Sequence, residues 1–191
     1  MRRRFLILHG WQGSGAGHWQ TWLADRLAGR GAHVRYPCLP DADAPRPDRW
    51  AAALHAELDA LAAASGERVV VCHSLGGVLW LREAARLTRA ARVDRVLLVA
   101  PPCPGGAPAE IAGFFPTGAT PAALARAAGD TRVVCATDDP YCPEGAASCW
   151  AAPLGLPADV VPRGGHLNPE AGFGPWPEME AWALGERPTL G

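Results

Sequence analysis

Short, uninterrupted apolar runs alternate along this chain with stretches whose apolar residues recur at helical spacing. Phe5–His9, Ala32–Tyr36, Arg68–Cys72, Val93–Ala100, Arg132–Thr137 and Asp159–Val161 read as strands, the last of them weak. Between them, His18–Arg30 puts Trp19, Trp22, Leu23 and Leu27 on one face, and Pro47–Ala64 puts Trp50, Leu54, Leu58 and Leu61 on one stripe. Leu75–Ala90 and Pro177–Leu184 read as two more helices. Strands that are apolar at consecutive positions are buried on both faces, and strands separated by helices pair in parallel. The expected fold is therefore α/β, a three-layer sandwich around a mainly parallel sheet of about six strands. The expected strand order is 2-1-3-4-5-6, with right-handed crossovers.

A length of 191 residues suits one domain, so 1–191 is read as a single unit. Pro101–Thr120 is rich in Pro, Gly and Ala; it reads as a loop with room for one short helix, too short for a lid domain. Residues 185–191 read as a loose tail.

The junction Val69-Val-Val-Cys-His-Ser-Leu-Gly-Gly runs a buried strand straight into a helix with Ser74 at the corner. A nucleophile elbow is built this way. The turn is so sharp that small residues must flank it, and the serine hydroxyl is presented above the C-terminal edge of the sheet. Gly76 and Gly77 meet that need, whereas the first small position of G-x-S-x-G holds Cys72. The competing reading is a serine that merely caps a crossover helix. The backbone N–H of Leu75, at the start of that helix, can donate to an oxyanion.

An elbow serine needs a base and an acid, and in this fold they follow it in the order acid, then His. The fifth strand runs into Thr137-Asp-Asp-Pro-Tyr, two carboxylates at a strand's C-terminal end, where open parallel sheets hold their ligands. Asp139 is the favoured acid, because Pro140 pushes it toward extended geometry, with Asp138 in reserve. After the sixth strand, Arg163-Gly-Gly-His-Leu-Asn lets two glycines bring His166 over the sheet edge as general base. Ordinary loop aspartates and a surface histidine are the bland alternatives. Three residue types in order, each at a strand end, argue against them. His73 lies inside the elbow and reads as a packing or hydrogen-bonding group; His9, before the first glycine loop, and His18, opening a helix, are weaker candidates, and His33 and His55 read as surface positions.

The loop His9-Gly-Trp-Gln-Gly-Ser-Gly-Ala-Gly-His after strand one fails the dinucleotide pattern G-x-G-x-x-G, since His18 holds the third glycine position. The chain has no Lys and hence no phosphate-binding G-x-x-x-x-G-K-[ST]. The same loop can supply the second oxyanion donor, the backbone N–H of Trp11, with Trp11 and Gln12 side chains lining an acyl pocket. Trp176, in the loop after His166, is placed as a pocket wall, with plain packing an equal alternative.

Net charge is −1 with a pI near 6.6, which leaves no electrostatic footprint for nucleic acid. The apolar start stops at His9-Gly10, short of a secretory signal, and no run approaches the roughly 18 apolar residues of a membrane span. The six cysteines form no C-x-x-C pair, so no structural zinc site is expected. A cytoplasmic protein with reduced thiols is the expectation.

These segments resemble a known family. His9-Gly-Trp-Gln-Gly-Ser-Gly with His18-Trp-Gln, His73-Ser-Leu-Gly, Asp138-Asp-Pro-Tyr, and Gly165-His-Leu-Asn with Gly172-Phe-Gly-Pro-Trp-Pro are similar to the YdeN-type small serine hydrolases. These are bacterial relatives of retinoblastoma-binding protein nine. The likeness runs from Phe5 to about Trp182. It implies a compact α/β-hydrolase fold with no large lid and a Ser74, Asp139, His166 triad. The family's acid is the residue just before Pro, which is Asp139. Cys72 in place of Ala or Gly, and His9 in place of a frequent Pro, depart from the family pattern without removing a catalytic group.

The expected chemistry is acyl transfer from a small ester to water, with neither cofactor nor metal required. The rival readings are a non-enzymatic protein-binding module on the same fold and a cysteine- or metal-based hydrolase. Cys72 sits one residue too early for the elbow tip, since His73 intervenes before Ser74, and no ligand cluster is apparent.

Overall fold

The computed structural model describes residues 2–186 and 188–190. β1 (Arg3–Leu8), β2 (His33–Arg35), β3 (Glu67–His73), β4 (Val93–Val99), β5 (Ala128–Ala136) and β6 (Ala158–Val161) form one sheet in the order β2-β1-β3-β4-β5-β6. Every neighbouring pair is parallel, as expected for this α/β architecture. Register explains the continuous apolar runs. Leu8, Cys72, Leu98 and Val133 lie in one row across the sheet and face one core. Ile7, Val71 and Leu97, one residue earlier on each strand, face the other.

Helices cover both faces. α2 (Pro47–Ala62) and α3 (Leu75–Glu83) close the first core with Trp50, Leu54, Leu58, Val78 and Leu79. α1 (Trp19–Gly29), together with the C-terminal Pro177–Ala183 helix, closes the second with Trp19, Leu23, Leu27, Met179 and Trp182. Three pieces depart from expectation. α3 stops at Glu83 instead of Ala90, and a 3-10 turn, Arg89–Ala91, follows under a Thr88 cap. α4 (Pro121–Ala127) lies in a stretch to which the sequence reading assigned no element; Thr120 caps it, accepting from the Ala123 N–H, and Pro121 opens it. A π-helical turn, Ala147–Ala151, continues into α5 (Ala152–Leu154), and the C-terminal helix is α6 (Pro177–Ala183).

Two expectations are not met. The tail is not loose at Leu190, which is buried in the cluster holding Val161, Trp176 and Trp182, because that side of the sheet needs an apolar cover; Arg187 and Gly191 lie outside the described residues. Nor are all six cysteines thiols. Cys103, after β4, is joined to Cys142, after β5, with Cα atoms 4.6 Å apart, while Cys38, Cys72, Cys135 and Cys149 are free. Together with the Cys103 N–H donating to the Tyr141 carbonyl at 3.0 Å, this bond ties two loops of the C-terminal sheet edge to each other. Among the described residues no helix is long and apolar enough to cross a membrane.

Candidate active site

At the corner between β3 and α3, Ser74 has φ 51° and ψ −124°, a left-handed backbone that costs about 1–3 kcal/mol for a non-glycine residue. Hydrogen bonds on both sides hold it there. The Ser74 N–H donates to the Val99 carbonyl at 2.8 Å, and the Ser74 carbonyl accepts from the Gly77 N–H at 2.8 Å. Gly76 makes the corner possible: a Cβ there would lie 2.7 Å from both the Leu8 and His9 carbonyl oxygens. Cys72 fits because its side chain turns into the first core, where burial pushes its thiol far above the usual range. It is a neutral core residue.

The Ser74 hydroxyl lies 2.9 Å from His166 Nε2, and His166 Nδ1 lies 2.9 Å from both Asp139 oxygens. All three residues are buried. Because a carboxylate only accepts, Nδ1 carries the ring proton, leaving Nε2 free to accept from the serine. Asp139 Oδ1 also accepts the Tyr141 N–H at 2.9 Å. Asp138 does something different: its Oδ1 accepts the Gly165 N–H at 2.8 Å and so holds the turn that carries His166. On the other side, His73 Nε2 donates to the His166 carbonyl at 3.0 Å. Burial first, then the adjacent His166 and His18 rings, keep His73 far below the ordinary imidazole value, despite the opposing pull of that carbonyl bond. The ring therefore stays neutral.

The first loop is pinned over the serine. His9 Nδ1–H donates to the Gly10 carbonyl at 2.7 Å, while its Nε2 accepts the Leu39 N–H at 2.8 Å. The Gln12 N–H reaches the Ala42 carbonyl at 2.9 Å, and Trp11 Nε1 the Asp43 carbonyl at 3.0 Å. Gly10 lets the loop approach, since a Cβ there would meet Ser74 Cβ at 2.7 Å. Among the described residues no protein acceptor takes the N–H of Trp11 or of Leu75. Leu75 opens α3, where a helix leaves its first donors unused.

A cavity of about 290 Å³ opens on Ser74 and His166. Trp11, Gln12, His18, Ile111, Tyr141 and Asn168 are among the residues that line it. Gln12 and Trp11, read as pocket residues, line this cavity. Trp176 does not. It is 6% exposed and packs edge-on against Trp19, 5.7 Å between ring centroids, and against Phe173. A large ring just before α6 is needed to close the second core, so it serves there and lines no part of the cavity. Sequence reasoning missed His18, Ile111, Tyr141 and Asn168. For Tyr141 and Asn168 a signal existed, since each lies two residues beyond Asp139 or His166. Among the described residues the one cluster of potential metal ligands is Cys103, Cys142 and Cys149, which includes neither Asp139 nor His166 and has two members joined to each other.

The sequence profile described as serine hydrolase matches residues 5–183. The chain matches no curated protein sequence. Among solved structures it is similar to the ydeN gene product of B. subtilis, with a TM-score of 0.78 at 21% identity over 96% of this chain and 97% of that one. A putative YdeN-like hydrolase from Pectobacterium atrosepticum gives 0.73 at 21% identity, over 96% and 90%. A pyrethroid hydrolase from Sphingobium faniae gives 0.64 at 18% identity, over 96% of each chain. At these identities the likeness is one of fold.

Proposed function

The chain belongs to the serine hydrolase family, and on that footing we propose that it cleaves small ester-like substrates through an acyl-enzyme on Ser74. The observation that carries this reading is the unbroken relay from Ser74 Oγ through His166 to Asp139, every link at 2.9 Å. In the proposed reaction His166 Nε2 takes the hydroxyl proton as Ser74 Oγ attacks the ester carbonyl. The N–H groups of Trp11 and Leu75 receive the oxyanion, and Asp139 steadies the imidazolium. As the tetrahedral intermediate collapses, the C–O bond breaks, and His166 returns the proton to the departing alkoxide. Water then adds to the acyl-enzyme, giving its proton to His166, and the acid leaves as Ser74 is reprotonated.

Substrate size follows from the cavity. At about 290 Å³ it lies at the small end of the roughly 300–1,000 Å³ typical of ligand sites, and Gln12, His18 and Asn168 make part of its wall polar. Short acyl esters fit, and long lipid chains would find little apolar cover. An ester is favoured over an amide because an alkoxide leaves more readily than an amide nitrogen. The buried, neutral Cys72 thiol speaks against a cysteine nucleophile in this elbow. The test is covalent. A fluorophosphonate probe is expected to label the native protein and to fail on Ser74→Ala. Absence of labelling on folded native protein would leave the chain as a protein-binding module on a hydrolase fold.

A further inference from the structure

His18 is bound at one end and free at the other. As N-cap of α1 it accepts the Gln20 N–H on Nδ1 at 3.1 Å. A backbone N–H can only donate, so the neutral ring must carry its proton on Nε2. Among the described residues no protein group bonds that Nε2–H, and it is not sealed away, since the one fully buried side-chain polar atom lacking a partner is Trp80 Nε1. His18 lines the same cavity as Ser74 and His166.

Its neighbours explain why it stays neutral. His18, His73 and His166 stand in a row, with ring centroids 4.8 Å and 5.0 Å apart. Burial first, then the His166 and His9 rings, bring His18 down to about 4. The other N–H groups of the row are committed: His73 Nε2–H to the His166 carbonyl, and His166 Nδ1–H to Asp139. Of the three rings, His18 alone has a donor left for a ligand.

We propose that His18 is a substrate-binding specificity residue whose Nε2–H donates to a neutral acceptor oxygen on the acyl chain, away from the scissile carbonyl. The preferred substrates are then esters whose acyl chain bears a second carbonyl or an ether oxygen, rather than plain alkyl esters. A carboxylate in the same place is disfavoured, because Glu170 lines the cavity as well. This assignment rests on the esterase reading above.

The experiment compares kcat/KM for p-nitrophenyl levulinate and p-nitrophenyl valerate, which differ by a carbonyl in place of one methylene. Differences in intrinsic reactivity cancel when the ratio is compared between proteins. His18→Ser keeps a helix cap but cannot reach the substrate, and His18→Leu keeps bulk without a donor. Both variants should lower the levulinate-to-valerate ratio by about threefold to tenfold, as expected for loss of one neutral hydrogen bond. In the unaltered protein the ratio should stay level from about pH 5.5 to 9, because the ring does not charge there. Folded variants with an unchanged ratio, or with both esters slowed equally, overturn the assignment of His18 alone. Turnover of neither ester by the unaltered protein overturns the esterase reading and this assignment with it.

Discussion

Asp138 and Asp139 are chemically alike and adjacent, yet one holds a backbone turn and the other holds the His166 ring. Asp139→Asn should therefore lower kcat by about 10³–10⁴, the scale on which other triads suffer when the ring loses its orienting carboxylate and the wrong nitrogen carries the proton. Asp138→Asn should stay within about threefold, because an amide oxygen still accepts the Gly165 N–H. Steady-state kinetics on a short ester, with circular dichroism to confirm folding, separates the two. Residues alone left this pair open, since both stand at the strand end and only the direction of each carboxylate decides. Ser74 and His166 were legible because their flanking glycines announce tight turns at strand ends. Trp176 was not: a loop tryptophan reads the same whether it faces a cavity or a core. The part played by His18 was hidden too, because a ring's free nitrogen depends on which backbone donor the other nitrogen meets.

Between α3 and β1 the helix rests directly on strand carbonyls, with Gly76 as the contact. Gly76→Ala should gain about 1 kcal/mol of helix propensity and lose more than that to overlap with the Leu8 and His9 oxygens, for a net loss of about 1–3 kcal/mol. Since α3 carries Leu75 and adjoins Ser74, activity should fall at temperatures where the variant is still folded. Chemical denaturation and ester hydrolysis measured together check both statements, and an Ala variant of native stability would show that the contact is slack. The elements themselves were legible to different degrees. The strands stood out because their runs are apolar without a break, whereas the end of α3 did not, because Ala84–Ala90 reads as good helix by composition alone. Thr88 as a cap for the following turn, and Thr120-Pro121 as the start of α4, were signals present in the chain and not used.

Over the whole molecule, three neutral histidines, His9, His18 and His73, are buried around the first loop and the elbow. Each has its pKa lowered, chiefly by burial, and His18 is brought to about 4 from an ordinary 6.5. Above about pH 6.5 the rings are neutral in both folded and unfolded chains and the effect vanishes. As pH falls below that, the unfolded chain takes up protons that the folded chain refuses, so stability is lost progressively toward pH 4. His18 alone should account for up to about 3 kcal/mol of this loss. Urea midpoints measured from pH 7 to pH 4 should decline accordingly, and less steeply in His18→Leu; a flat profile would show that the rings charge in place. The central claim also belongs to this scale, because Ser74, Asp139 and His166 come from three separate strand ends that meet only in the folded chain. Labelling by a fluorophosphonate probe, with the modified residue mapped by mass spectrometry, tests it most directly. The account predicts one adduct, on Ser74, in the native protein, and none after heat denaturation or in Ser74→Ala. A folded native protein that takes no label, or a Ser74→Ala variant that still does, would contradict it.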